Sequence, residues 1–217
     1  MVRLRPDALL FDLDGTLVDG AAAIHDAFEH ALRARGLPRV PRAAVAARIG
    51  LPLRLMFRDL CAVDDHESAA LVREYRARFE ETAPTLVRAT PGMREALDAF
   101  PDVPMAIVTT KAVEPARTVL AALGVQARFP VVVGVDTVRR PKPDPEGVRV
   151  ALARLGVGAA RAVFVGDTIM DVLAGKGAGT RTLAVLNGHG DEGELRAAAP
   201  DACLRDLTEL PTAVASL

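Results

Sequence analysis

The sequence predicts an α/β protein with a Rossmann-like parallel sheet and an inserted α-helical domain. Two observations support this fold class. Short, continuously apolar segments, which suit strands buried on both faces, alternate with helix-like stretches. Residues 20–85, directly after the first apolar segment, carry helical periodicity and no strand pattern. With 217 residues, the chain is long enough for one main domain and a smaller insertion.

Five apolar segments predict the strands of the sheet, and the third of them is the weakest: 7–12, 103–109, 129–133, 162–166 and 182–186. Helix-like stretches near 113–123, 145–155 and 169–177 lie between the later strands. Gly124 and Gly156 stand where the C-terminal caps of the first two helices fall. Strand and helix in alternation predict a parallel sheet covered by helices.

Residues 20–85 break this alternation. Apolar residues recur there at helical spacing, which predicts several amphipathic helices: Ile24, Phe28, Leu32, Leu53, Met56, Phe57, Leu60, Leu71, Tyr75 and Phe79. We therefore expect a core of residues 1–19 and 86–217 and a helical domain of residues 20–85. Gly20 and Pro84-Thr85 are the expected hinges between them.

Charge and cysteine content exclude several classes of protein. The chain has 27 Lys plus Arg against 28 Asp plus Glu, so we expect neither a nucleic acid nor a membrane surface as a partner. Cys61 and Cys203 are far apart and form no CxxC pair, which argues against a disulfide framework or structural zinc. No apolar run reaches the roughly 20 residues of a membrane span. We expect a cytoplasmic protein.

The first candidate site follows the first predicted strand. Asp12 ends this strand, and Asp14 and Gly15 follow in the turn. Ligands of an open parallel sheet bind beyond the carboxyl ends of its strands. Two carboxylates there, with backbone amides exposed by Gly15, suit a divalent cation. The alternative is that Asp12 caps a turn and Asp14 is solvated.

A second acidic pair ends the strand 162–166. Asp171 follows Asp167 by four residues, one helical turn, so the two can share a face. Together with the first pair, up to four carboxylates gather in one crevice, which is costly unless a cation neutralises them. Carboxylates favour magnesium, calcium or manganese over zinc. The alternative is that Asp167 is an ordinary helix N-cap.

Two further segments carry polar groups. Lys142, between two prolines, is one of only three lysines and suggests a fixed positive charge. Thr109 and Thr110 follow the strand 103–109. The alternatives are a surface loop with an incidental lysine, and threonines that simply suit a strand.

Four segments in this order, FDLDGTLVD, VTT, KPDP and FVGDTIMD, resemble the four motifs of the haloacid dehalogenase superfamily. They are most similar to its phosphatase branch, in which a helical cap follows the first motif. Two further segments, RIGLPLRLMF and VLNGHG, look most like the phosphoglycolate phosphatase group. The resemblance covers essentially the whole chain.

The resemblance implies a role for each matching residue. Asp12 is the expected nucleophile, which forms an aspartyl-phosphate, and Asp14 is the general acid and then the base. The expected ligands of Mg²⁺ are the carboxylates of Asp12 and Asp167 and the backbone carbonyl of Asp14, with Asp171 in support. The expected phosphate-binding groups are Gly15, Thr109, Thr110 and Lys142. Thr110 stands where the family more often has asparagine.

The resemblance also implies a small phosphorylated metabolite as substrate. The leading candidate is 2-phosphoglycolate, followed by pyrophosphate and sugar phosphates. A phosphosugar mutase is the next alternative, but Ile24 and Ile49 stand where that relative has a cap histidine and a cap lysine. A dehalogenase does not need Asp14. The non-enzymatic alternative is a phospho-accepting signalling or scaffold protein. Oligomeric state is not indicated.

Two features invite other interpretations. Residues 188–193 match GxGxxG, but Asp191 and Glu192 within it would repel a pyrophosphate, so we expect a mobile loop near the site rather than a dinucleotide site. Arg48 and Arg54 flank a turn in the helical domain. We expect them to be solvated charges, with contact to a substrate anion as the alternative.

Overall fold

The computed structural model describes residues 5–217, so residues 1–4 of the expected core segment 1–19 lie outside the described residues. Its main sheet has six parallel strands in the order β5-β4-β1-β6-β7-β8, and β2 and β3 form a separate antiparallel ribbon. The strands are β1 (Ala8–Phe11), β2 (Val18–Asp19), β3 (Arg88–Ala89), β4 (Met105–Val108), β5 (Val131–Val133), β6 (Ala162–Gly166), β7 (Arg181–Val185) and β8 (Ala202–Leu204). The predicted α/β fold class is confirmed.

The central strand is β1, which pairs with β4 on one side and β6 on the other. All residues of these three strands are buried, as continuous apolar runs predict. Because the strands are parallel, their carboxyl ends meet at one edge. From β1, the strand order continues through β4 and β5 on one side and through β6, β7 and β8 on the other. Where the strand order reverses in this way, a crevice forms at the carboxyl ends of the strands, and ligands bind there.

Residues 5–217 contain ten α-helices: α1 (Ala21–Ala34), α2 (Arg42–Ala46), α3 (Leu53–Cys61), α4 (Asp65–Leu86), α5 (Met93–Asp98), α6 (Val113–Ala122), α7 (Glu146–Leu155), α8 (Ile169–Ala178), α9 (Glu192–Ala197) and α10 (Leu210–Val214). The predicted helices near 113–123, 145–155 and 169–177 correspond to α6, α7 and α8. Gly124 and Gly156 follow α6 and α7 with positive φ, as expected for C-terminal caps. No helix within residues 5–217 is long and apolar enough to cross a bilayer.

Helices α1 to α4 occupy the chain between β2 and β3, and residues 20–85 contain no strand. Eight of the ten predicted apolar residues are buried, whereas Leu53 and Leu60 are half-buried, and Phe28 stacks on Phe57 with ring centroids 4.3 Å apart. The expected hinge at Pro84-Thr85 is not a loop, because Pro84 lies inside α4, which ends at Leu86. Proline removes one backbone donor, but the helix continues, and Val87 N–H donates to Ala83 O at 3.0 Å.

Candidate active site

Three neighbouring strands bring the predicted site residues to one edge of the sheet. Asp12 follows β1, Thr109 follows β4 and Asp167 follows β6, and all three are buried. Asp171 lies in the first turn of α8 and Lys142 in the loop before α7. Residues that are far apart in the sequence therefore share one crevice at the switch point of the sheet.

The centre of the crevice is a buried group of three carboxylates, those of Asp12, Asp167 and Asp171. One oxygen from each lies within 4.8 Å of the others. Lys142 Nζ lies 2.5 Å from Asp12 Oδ1 and 2.5 Å from Asp171 Oδ1. When all three carboxylates are ionised, the Lys142 ammonium neutralises one of the three negative charges and two remain. One divalent cation would neutralise both.

Burial shifts the pKa values of this group. It raises the pKa of Asp12 to about 7, although the Lys142 ammonium acts in the opposite direction. It also raises the pKa of Asp167 well above the usual value. Burial alone would lower the pKa of Lys142, but the neighbouring carboxylates raise it, so the ammonium stays charged. The raised pKa values show that ionised carboxylates are disfavoured here without a cation. A divalent cation would favour their ionised forms, and an all-oxygen donor set suits a hard metal ion.

Hydrogen bonds fix the orientation of the two acidic residues after β6. Thr16 Oγ1 donates to Asp167 Oδ1 at 2.7 Å, and the His189 amide donates to Asp167 Oδ2 at 2.7 Å. Thr168 donates to Asp171 Oδ2 from its amide at 2.9 Å and from its hydroxyl at 2.7 Å. Thr168, not Asp167, is the N-cap of α8, so the helix-cap alternative for Asp167 is wrong.

Glycines allow the backbone to pack onto Asp167. A Cβ at Gly15 or at Gly188 would overlap the Asp167 side chain, and a Cβ at Gly190 would overlap the backbone oxygen of that residue. The GxGxxG segment therefore covers Asp167, and its second half begins α9, with Asp191 as N-cap. The Gly15 N–H donates to Val18 O at 2.8 Å, so in this structure the amide is engaged within its own turn, and the expected contact of Gly15 with a phosphate stays a prediction.

Asp14 lies apart from the carboxylate group. Its Oδ2 is 3.1 Å from Lys111 Nζ, whereas Asp14 is absent from the set of three carboxylates whose oxygens meet. The expectation that as many as four carboxylates gather is therefore corrected to three. The Asp14 side chain instead pairs with Lys111. Sequence reasoning assigned no role to Lys111, Thr16, Thr168 or the His189 amide.

The two threonines after β4 differ in surroundings. Thr109 N–H donates to Val133 O at 3.0 Å, and Thr109 Oγ1 accepts from the Lys111 amide at 3.1 Å. Both Thr109 and Thr110 are buried. Thr110 lines the cleft described next, whereas Thr109 is not among its lining residues.

A cleft of about 390 Å³ separates the helical segment from this edge of the sheet. Ile24 and Ile49 line it, and so do four cationic side chains and one carboxylate: Arg54, Arg73, Arg76, Lys111 and Asp14. Arg48 is not among the lining residues; its Nε lies 3.8 Å from Asp59 Oδ2 on the surface. The cleft carries a positive excess, which suits an anionic ligand.

Comparison with known proteins identifies the family. The family model for haloacid dehalogenase-like hydrolases matches residues 9–185. The chain is 39% identical to the "Probable phosphatase IndB" of Dickeya dadantii, over 96% of this chain and 94% of that protein. It is 36% identical to the pyrophosphatase PpaX of Bacillus velezensis, over 97% of each. It is 32% identical to the phosphoglycolate phosphatase of Photorhabdus laumondii, over 94% of this chain and 90% of that protein.

A solved structure shares the fold over almost the entire chain. CbbY from Rhodobacter sphaeroides, in complex with phosphate, superposes with a TM-score of 0.85 at 24% identity, over 98% of this chain and 100% of that one. The family match covers all of the acidic residues of the crevice. This chain belongs to the haloacid dehalogenase-like hydrolase family and is a phosphatase of that family.

Proposed function

We propose that this phosphatase is a Mg²⁺-dependent phosphomonoesterase that acts through an aspartyl-phosphate at Asp12. The observation that carries the proposal is the position of Asp12, which ends the central strand inside a buried carboxylate group and contacts Lys142 at 2.5 Å. A carboxylate can serve as a covalent nucleophile toward phosphorus when its own charge and that of the phosphate are compensated.

The first step transfers the phosphoryl group to the protein. An Asp12 oxygen attacks phosphorus, the bond from phosphorus to the leaving oxygen breaks, and Asp14 donates a proton to that oxygen. Lys142 compensates the charge beside the reacting carboxylate. Thr109 lies at the end of β4, next to β1, where its side chain can contact a phosphoryl oxygen. The products of this step are an alcohol and the aspartyl-phosphate.

The second step returns the protein to its starting state. Asp14, now ionised, accepts a proton from a water molecule, whose oxygen attacks phosphorus. The bond from phosphorus to the Asp12 oxygen breaks, which releases inorganic phosphate and regenerates both carboxyl groups. Asp14 thus acts once as acid and once as base.

The residues that would hold Mg²⁺ are Asp12 and Asp167 through their carboxylates and Asp14 through its backbone carbonyl, with Asp171 in support. The two uncompensated charges of the carboxylate group support this assignment. When bound, the ion neutralises negative charge on the carboxylates and the phosphoryl oxygens.

We infer that residues 20–85 act as a cap that selects a small anionic metabolite, with 2-phosphoglycolate as the leading candidate. The cationic cleft beneath this segment supports an anionic substrate. The phosphoglycolate phosphatase relative supports this candidate, and the PpaX relative supports pyrophosphate as the second. Sugar phosphates follow. Ile24 and Ile49 in the cleft favour hydrolysis over a mutase reaction, because neither side chain can transfer a proton.

The test is inorganic phosphate release from a panel of substrates, with Mg²⁺ and with EDTA. The panel contains 2-phosphoglycolate, pyrophosphate, several sugar phosphates and 4-nitrophenyl phosphate. We expect Mg²⁺-dependent release and a preference of about 100-fold, or about 2.7 kcal/mol, for one compound. Asp12→Asn is the matched inactive control. Folded protein that releases no phosphate from any compound would reject hydrolysis and favour the mutase or the signalling protein.

A further inference from the structure

We propose that Lys111 is a positioning residue that holds one oxygen of Asp14 and leaves the other to exchange the proton. The proposal rests on the acid–base function proposed for Asp14. It assigns a role to a lysine that lies two residues beyond Thr109, outside the four residues of the carboxylate and ammonium group.

The two oxygens of Asp14 have different surroundings. Oδ2 lies 3.1 Å from Lys111 Nζ, and only about a tenth of either side chain is exposed. Oδ1 is buried and has no hydrogen-bond partner within the described residues. A Cβ at residue 20 would lie 3.0 Å from Oδ1, so Gly20 leaves space beside this oxygen. The ion pair thus orients the carboxyl group, and Oδ1 is the oxygen that remains for a substrate or a water molecule.

Lys111 itself is held from two directions. Its amide donates to Thr109 Oγ1 at 3.1 Å, and its carbonyl accepts from the Val135 amide at 3.2 Å, so its backbone is fixed to the core. Its ammonium lies 4.3 Å from the ring centroid of Phe79, on α4. This ring is fully buried and stacks on Tyr75. A cation over an aromatic face is restrained as well as stabilised, so Lys111 links Asp14 to the helical segment.

A direct role in binding the anionic part of a substrate is the competing explanation, since Lys111 also lines the cleft. The two roles predict different dependences on the substrate. If Lys111 positions the acid, its removal should slow substrates whose leaving oxygen needs a proton, whether or not the leaving group carries a charged substituent. If Lys111 instead binds an anionic substituent of the substrate, its removal should weaken substrates that carry such a substituent, whether or not their leaving oxygen needs a proton.

The experiment compares two phosphate monoesters whose organic groups carry no charge in the substrate and are similar in size. Benzyl phosphate releases an alkoxide that must be protonated, whereas 4-nitrophenyl phosphate releases a stable phenolate. For Lys111→Met we expect kcat/KM for benzyl phosphate to fall about 100-fold and that for 4-nitrophenyl phosphate to fall less than about 3-fold. Lys111→Arg, which retains the charge, should recover at least about tenfold of the loss on benzyl phosphate.

Lys176→Met is the matched control, because Lys176 is a surface lysine whose ammonium donates to Ala198 O. It should leave both substrates unaffected. In an Asp14→Asn background, Lys111→Met should cause no further loss on benzyl phosphate. Equal losses on both substrates, or an undiminished effect in that background, would overturn the proposal. If Lys111→Met folds but is weakly stable, Lys111→Gln is used in the same measurements. If the wild-type protein shows no Mg²⁺-dependent release of phosphate from either substrate, this result would instead reject the phosphatase function proposed for the site.

Discussion

Lys142 Nζ lies 2.5 Å from Asp12 Oδ1, although the two residues are 130 positions apart in the sequence. The same ammonium contacts Asp171, so it joins the end of β1 to the first turn of α8 through a third segment of the chain. These contacts are buried, where charge pairs are screened least by solvent. The arrangement concentrates negative charge at one point and compensates only part of it.

Removal of Lys142 should weaken both activity and stability. Lys142→Met leaves three buried carboxylates without their ammonium, and breaking a buried pair in this way costs about 3 to 5 kcal/mol. We expect a loss of about this size in the free energy of unfolding by urea at pH 8 without metal. Lys176→Met, on the surface, serves as control. Unfolding at the wild-type urea concentration would contradict this prediction.

Asp14→Asn should separate the two chemical steps. With 4-nitrophenyl phosphate the leaving group needs no proton, so Asp12 still becomes phosphorylated, but no base remains to activate water. We expect a burst of one nitrophenolate per protein molecule, followed by turnover about 100-fold or more slower than wild type. Stopped-flow absorbance measures both phases. Steady turnover at the wild-type rate, with no burst, would reject Asp14 as the base.

The metal-free protein should lose stability as the pH rises. An unfolded Asp12 titrates near 3.8, whereas burial raises its folded pKa to about 7. Between these values the folded state binds more protons than the unfolded state, so its unfolding free energy decreases with rising pH. We expect the unfolding free energy of wild type relative to Asp12→Asn to decrease from pH 4 to 7 without metal. Saturating Mg²⁺ should reduce this slope, and a slope of the opposite sign would contradict the prediction.

Gly188→Ala should disturb Asp167. The added methyl group would overlap the Asp167 side chain, so either the loop or the carboxylate must move. We expect Mg²⁺ affinity, measured by calorimetry, to fall at least about tenfold, as for loss of a group that orients a metal ligand. Gly158→Ala is the control, because no atom lies within 4 Å of the position of its Cβ. Equal Mg²⁺ affinity in both variants would contradict the role of the loop.

The sequence was sufficient to predict five of the six strands of the main sheet and the acidic residues at its edge. Asp12 and Asp167 each follow a long apolar run, and the parallel topology then requires them to be neighbours. The edge strand β8, Ala202–Leu204, was not predicted, because three residues are too few to show a periodicity. The ribbon of β2 and β3 is shorter still.

The contacts between side chains could not be predicted in the same way. The Lys111–Asp14 pair joins residues 97 positions apart, and no spacing rule connects them. The Gly15 amide is used within its own turn, a detail that depends on the hydrogen bonding of the folded turn, whose φ of +90° at residue 15 favours glycine. The His189 amide reaches Asp167 only because small residues on both sides allow close packing. Each of these contacts depends on tertiary structure.

The central claim is that Asp12 becomes phosphorylated, and a chemical label tests it most directly. Asp14→Asn is mixed with 4-nitrophenyl phosphate and Mg²⁺, quenched in acid during the burst, and treated with borohydride, which reduces an acyl phosphate to an alcohol. Mass spectrometry of the peptide that contains residue 12 then locates the label. We expect homoserine at position 12, and none without substrate. An unmodified Asp12 during a full burst, or a label at another residue, would contradict it.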